Sequence, residues 1–133
     1  NLLAPIINNK SFTFINMQYG DTDQELDNFN KNNACKIHTI SELDLFNDFS
    51  SMAGLIKNLD LFISVSSTTA HLAAAVGTPT WIIKPKNHVL LHYWNQPKNL
   101  TPWYSSVKLF PYKTRWEETV NDIDFSLSKK FNL

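Results

Sequence analysis

Four consecutive hydroxyl residues, Ser66, Ser67, Thr68 and Thr69, stand where an apolar run ends, and Ala70 and His71 follow directly. The run before them, Leu61 to Val65 (LFISV), has the composition of a strand covered on both faces. The alanine-rich stretch after them predicts a short helix over Thr69 to Val76, stopped at Gly77. At such a handover the first helical amides have no intrahelical acceptor and lie at the positive end of the helix dipole. Small hydroxyl side chains leave those amides open to an anion, and phosphate or diphosphate is the natural guest. Serine or threonine at this point also serves as an ordinary helix cap. One capping hydroxyl explains one residue of the four, and the others, with His71 in the first turn, favour the phosphate reading.

Other side chains could join such a site. His71 at the positive end of a helix is expected to be neutral and to act as a hydrogen-bond donor, either to a phosphate oxygen or to a loop carbonyl. Lys84, just past the next strand, has the charge to neutralise a diphosphate, although a solvated surface lysine looks the same in sequence. Trp94, Trp103 and Tyr104 could stack on a base or a sugar ring, or anchor their loop to the core. Other chemistries have less behind them. His88 and His92 are four apart, but no acid lies between them and His38 is distant, so no metal site is expected. Neither Ser66 nor Ser67 has the flanking glycines of a nucleophile elbow. The phosphate loop G-x-x-x-x-G-K and the fingerprint G-x-G-x-x-G are both missing. Asn99-Leu100-Thr101 matches a glycosylation acceptor by chance, because no secretory signal accompanies it.

The elements that would position these residues alternate between strand and helix. Phe12 to Tyr19 reads as a strand, closed by Gly20-Asp21, and Thr22-x-x-Glu25 has the form of a capping box opening a helix with Leu26 and Phe29 on one side. Lys36 to Ile40 is a short strand candidate. From Ser51, the positions Met52, Leu55, Ile56 and Leu59 follow helical spacing, and Gly54 inside that helix suggests close packing or a ligand. A strand over Thr80 to Ile83 completes a strand-helix-strand unit around the hydroxyl cluster. Lys84 to Tyr112 is irregular and aromatic, with a strand candidate at Val107 to Phe110, and a final helix starts near Trp116 with Val120, Ile123 and Leu127 on its face. This alternation predicts an α/β fold, a Rossmann-like parallel sheet with helices on both faces, in which ligands bind beyond the carboxyl ends of the strands.

Bulk composition narrows the function classes. At 133 residues the chain fits a single domain, 1–133, able to bury a core without staples. Twelve Lys and Arg balance twelve Asp and Glu, with no basic run, so a nucleic-acid partner is not expected. The lone Cys35 suits a reducing, cytoplasmic setting, and no apolar run has the length of a membrane span. The chain opens at Asn1 without methionine and is expected to be a piece of something longer.

The block Leu59 to Val65, followed by Thr68 to Trp81 (TTAHLAAAVGTPTW), resembles the carboxyl-terminal half of bacterial heptosyltransferase-like glycosyltransferases, including those fused to tetratricopeptide repeats. Met17 to Asp21 and Thr101-Pro102-Trp103-Tyr104 are similar to flanking segments of the same family. The resemblance implies one half of a GT-B arrangement, with a nucleotide-diphosphate sugar as substrate and no cofactor or metal. It implies that Ser66 to His71 hold the diphosphate. It also places Gln18, Tyr19 and Gly20 near the donor, and Met52 and Gly54 near the nucleotide; Lys84 and Trp103, read from charge and stacking, are the further candidates for nucleotide or sugar contacts. An acceptor-binding or repeat-bearing amino-terminal half is the implied partner. Ser66 departs from the pattern, because the family commonly carries aspartate there. A non-catalytic nucleotide-binding or protein-interaction module is therefore the second expectation.

Overall fold

The computed structural model describes residues 2–86, 92–94 and 101–133. It is a mixed α/β protein with parallel strands, divided into two compact units, Asn1–Met52 and Ala53–Leu133, with the boundary inside a helix. The parallel strands expected in one sheet are thus split between a two-stranded and a three-stranded sheet.

In the first unit a short helix α1 (Ala4–Ile7) starts with proline and buries Ile6 and Ile7. Strand β1 (Phe14–Ile15) pairs in parallel with β2 (Ile37–His38). The expected strand over Phe12 to Tyr19 shrinks to this core for a local reason. The Asn16 amide still donates to the His38 carbonyl at 2.7 Å, but the Asn16 side chain takes the Gln18 amide at 3.1 Å and turns the chain away. Helix α2 (Asp23–Asn32) buries Leu26 and Phe29, as their spacing predicts. Its capping box does not form: Thr22 sits at φ −115°, ψ 2°, outside the extended region a side-chain cap needs, and makes no side-chain cap bond. Asn30 of α2 exchanges two hydrogen bonds with the backbone of Ile37, at 3.0 and 2.8 Å, and so ties the helix to β2.

Helix α3 (Phe49–Lys57) begins before Ser51 because Asp48 caps it, accepting the Ser51 amide at 2.9 Å on its carboxylate and the Met52 amide at 3.0 Å on its carbonyl. Met52 and Ile56 are buried, whereas Gly54 is exposed and a Cβ there would meet nothing within 4 Å. The close packing inferred for Gly54 from sequence is therefore corrected.

The second unit is built on β3 (Phe62–Ser64), β4 (Thr80–Lys84) and β5 (Val107–Pro111), all parallel and in that order, with Phe62 level with Thr80 and Thr80 level with Val107. Helix α4 (Thr68–Ala75) carries the chain from β3 to β4, and α5 (Trp116–Phe131) follows β5. Ile82 and Ile123 are fully buried, with Val120 and Leu127 beside Ile123 on the helical face predicted from spacing. Acidic Glu117 and Glu118 in the first turn of α5, and basic Lys129 and Lys130 in its last, complement the helix dipole. Among the described residues no helix is long and apolar enough to cross a membrane.

The end of α4 fixes where β4 begins. Gly77 at φ +82° lets its own amide return to Ala74 and the Thr78 amide to Ala73, at 3.2 and 3.1 Å, which closes the helix with paired carbonyls. Thr78 then anchors its buried hydroxyl on the Ile56 carbonyl at 2.9 Å. Because an L side chain is strained at this φ, Gly77→Ala is expected to destabilise the protein by about 1 kcal/mol. Urea denaturation of the variant beside the parent measures this.

Candidate functional site

The residues singled out in sequence between Ser64 and His71 form the carboxyl end of β3 and the start of α4. Ser67 is extended, at φ −153°, ψ 164°, and its Oγ accepts the Ala70 amide at 3.1 Å. It is the helix cap. The Ser67 carbonyl takes the His71 amide at 3.2 Å, and its hydroxyl lies 3.4 Å from that of Ser64. The amides of Thr68 and Thr69 meet no acceptor among the described residues. The hydroxyl run thus resolves into different tasks: Ser67 caps, Thr69 is buried, Thr68 faces solvent, and Ser66 is engaged elsewhere.

Ser66 accepts the indole Nε1–H of Trp94 at 3.0 Å, and Trp94 is fully buried. The Trp94 ring lies against His71, with centroids 4.5 Å apart and planes 30° from parallel. Nδ1 of His71 is 3.1 Å from the Tyr104 hydroxyl, and Tyr93 meets the same imidazole edge-on at 5.0 Å. Tyr93 in turn contacts Trp103, whose ring is 56% exposed. Of the aromatics weighed as stacking or anchoring groups, Trp94 anchors. Tyr104 acts as a polar partner of His71, a role with no signal in the sequence because its segment has no periodicity.

Burial holds the His71 pKa below its ordinary value, so the imidazole is neutral near pH 7. The helix dipole expected from the sequence acts in the same direction, but desolvation is the cause here. Lys84 closes β4. It lies two residues beyond Ile82, the partner of Ser64, and so at the carboxyl end of the sheet. Burial also lowers the Lys84 pKa, and no carboxylate pairs with it among the described residues. A partly buried cation at the carboxyl end of the sheet, and two amides that meet no acceptor among the described residues, suit an anion.

The remaining candidates have varied surroundings. In the first unit, Gln18 and Tyr19 are exposed, with Tyr19 packed edge-on against Phe46 at 5.3 Å. Gly20 takes φ +100°, which closes the turn after β1, and Met52 is a core side chain. In the second unit Gly54 stands on an exposed helix face. His88, Asn99 and Leu100 lie outside the described residues. Among the described residues no group of three metal-ligating side chains comes together.

The surface of the described residues carries open hollows. One, of about 700 Å³, is lined by α1 and α2 residues including Glu25 and Asn28, and another, of about 210 Å³, by β5 and α5 residues including Lys108 and Phe125. Neither is lined by the Ser64-to-His71 segment.

No family model and no solved structure matches the chain. It is similar to Protein FlbA of Caulobacter vibrioides, with 29% identity over 130 residues. That alignment covers 96% of this chain and 21% of FlbA, so the chain spans about a fifth of that protein's length.

Proposed function

We propose that this chain is a donor-binding domain of a glycosyltransferase, one half of a Rossmann-like GT-B pair, which takes a nucleotide-diphosphate sugar without a metal. The observation that carries this reading is the pair of amides at Thr68 and Thr69 that meet no acceptor among the described residues, at the start of the helix that leaves β3. Lys84, partly buried and without a carboxylate partner among the described residues, supports an anionic guest at the same end of the sheet. Fixed donors of this kind stabilise a departing diphosphate because they are oriented before charge develops. Transfer itself would call for an acceptor-holding half, and the catalytic base would come from there.

A second reading has an observation of its own. Ser66, at the position where the resembled family commonly carries an acid, spends its hydroxyl on Trp94. That favours a non-catalytic module that binds a nucleotide or a protein partner.

Calorimetric titration of the chain with several sugar nucleotides and with free nucleoside diphosphates tests both. Saturable binding, tighter for one sugar nucleotide than for its free diphosphate, is the expected result. Equal binding of both forms supports the non-catalytic nucleotide module, and no binding to any of them overturns the diphosphate site.

A further inference from the structure

Tyr104 belongs to no strand or helix, yet its hydroxyl reaches one ring nitrogen of a half-buried histidine in the first turn of α4. We propose that Tyr104 is a positioning residue that fixes His71 in the tautomer carrying its proton on Nε2, so that the imidazole presents a hydrogen-bond donor to an anionic oxygen. This rests on the diphosphate reading above and adds to it a residue that acts only through another.

Three observations carry the inference. First, a neutral imidazole has one N–H and one bare nitrogen, and the partner of Nδ1 decides which is which. At 3.1 Å, the phenol and Nδ1 share one proton between them. A phenolic O–H is a better donor than an imidazole N–H, and an imidazole nitrogen is a better acceptor than a phenolic oxygen, so Tyr104 donates and Nδ1 accepts. The imidazole proton is then left on Nε2.

Second, the ring cannot easily turn over to exchange the two nitrogens. Trp94 lies along one side at 4.5 Å, 30° from parallel, and Tyr93 closes another edge-on at 5.0 Å. Trp94 is itself held by its hydrogen bond to Ser66. Third, Nε2 has no partner among the described residues, and no acid is hydrogen-bonded to the ring. A neutral donor aimed by a phenol is what remains.

The tautomer is read directly from the nitrogen chemical shifts of His71 in the ¹⁵N-labelled chain, at a pH above the histidine range. The expected spectrum is that of the Nε2–H form. In Tyr104→Phe the ratio of tautomers should move by about fivefold, the factor that one ordinary hydrogen bond is worth. Affinity for potassium pyrophosphate should fall in proportion to the loss of the Nε2–H fraction, and by no more than that factor. In a His71→Gln background, where the side-chain amide keeps a donor without any tautomer to select, Tyr104→Phe should change pyrophosphate affinity less than twofold.

An Nδ1–H spectrum in the parent overturns the inference and leaves the diphosphate reading standing. So does an equal loss of affinity in both backgrounds, because that is the signature of a merely structural tyrosine. The Nε2–H spectrum in a chain that takes up no pyrophosphate at any concentration overturns both.

Discussion

Trp94→Ala is expected to destabilise the second unit by about 3–5 kcal/mol, the range for emptying the site of a large buried aromatic. Trp94 is fully buried although it sits in a single turn of 3₁₀-helix (His92–Trp94), and three separate interactions converge on it. Its indole N–H is donated to Ser66, its ring lies on His71, and Tyr104 packs 5.8 Å from it. Truncation leaves a cavity, strips the Ser66 hydroxyl of its donor and uncovers the imidazole. Trp94→Phe separates these contributions, since it retains most of the ring and loses only the N–H. It should cost roughly 1–2 kcal/mol, the value of the lost hydrogen bond and the small void. Urea midpoints for the two variants check the ordering, and a Trp94→Ala cost below that of Trp94→Phe would show that the indole does not hold the segment in place.

Thr68→Pro is expected to lower pyrophosphate affinity by tenfold or more while the protein still folds. The substitution removes one of the two amides that meet no acceptor among the described residues, and a hydrogen bond to a charged partner is worth about 1.5–3 kcal/mol. Folding should survive because Thr68 is the first residue of α4, where proline is favoured and the missing amide had no intrahelical acceptor. The residue before it agrees, since Ser67 is already extended, as a residue preceding proline must be. Ser67→Ala made alone tests the hydroxyl separately. Ser67 caps the Ala70 amide, so its loss acts chiefly on stability, by about 1 kcal/mol, and should change affinity far less than Thr68→Pro does. Calorimetry gives the affinity and circular dichroism the fold; unchanged affinity in a folded Thr68→Pro variant removes the site assignment.

The strand-helix-strand block around α4 was legible because three independent signals agree there. An apolar run, a hydroxyl at the cap and a glycine at the stop each have a physical cause, and the structure uses them as such in β3, Ser67 and Gly77. The face of α5 was legible for a similar reason, since a sixteen-residue helix gives periodicity room to appear. The first unit was read less well. Aromatic and branched residues from Phe12 to Tyr19 report a preference for burial, not the length of a ladder, and a single asparagine side chain ends the pairing at Asn16. Helix α1 has four residues, fewer than two turns, so it leaves no periodic trace. The Asp48 cap has a sequence signal, an acid directly before Phe49, but the apolar spacing of this helix becomes regular only from Ser51.

The candidate site divides in the same way. Ser67 to His71 could be placed from local chemistry alone, because cap and first turn are contiguous in the chain. The engagement of Ser66 by Trp94 and of His71 by Tyr104 spans 28 and 33 residues of sequence. Pairings of that separation arise from tertiary packing, and no local pattern encodes them.

The eight residues of α4 rise about 12 Å, close to the roughly 16 Å that the five residues of β4 run in the opposite sense. The return path therefore has almost no slack. Inserting one residue would rotate everything after it by about 100° and carry Gly77 off the turn it closes. Natural or engineered changes of chain length should consequently be rejected within the crossover from β3 to β4.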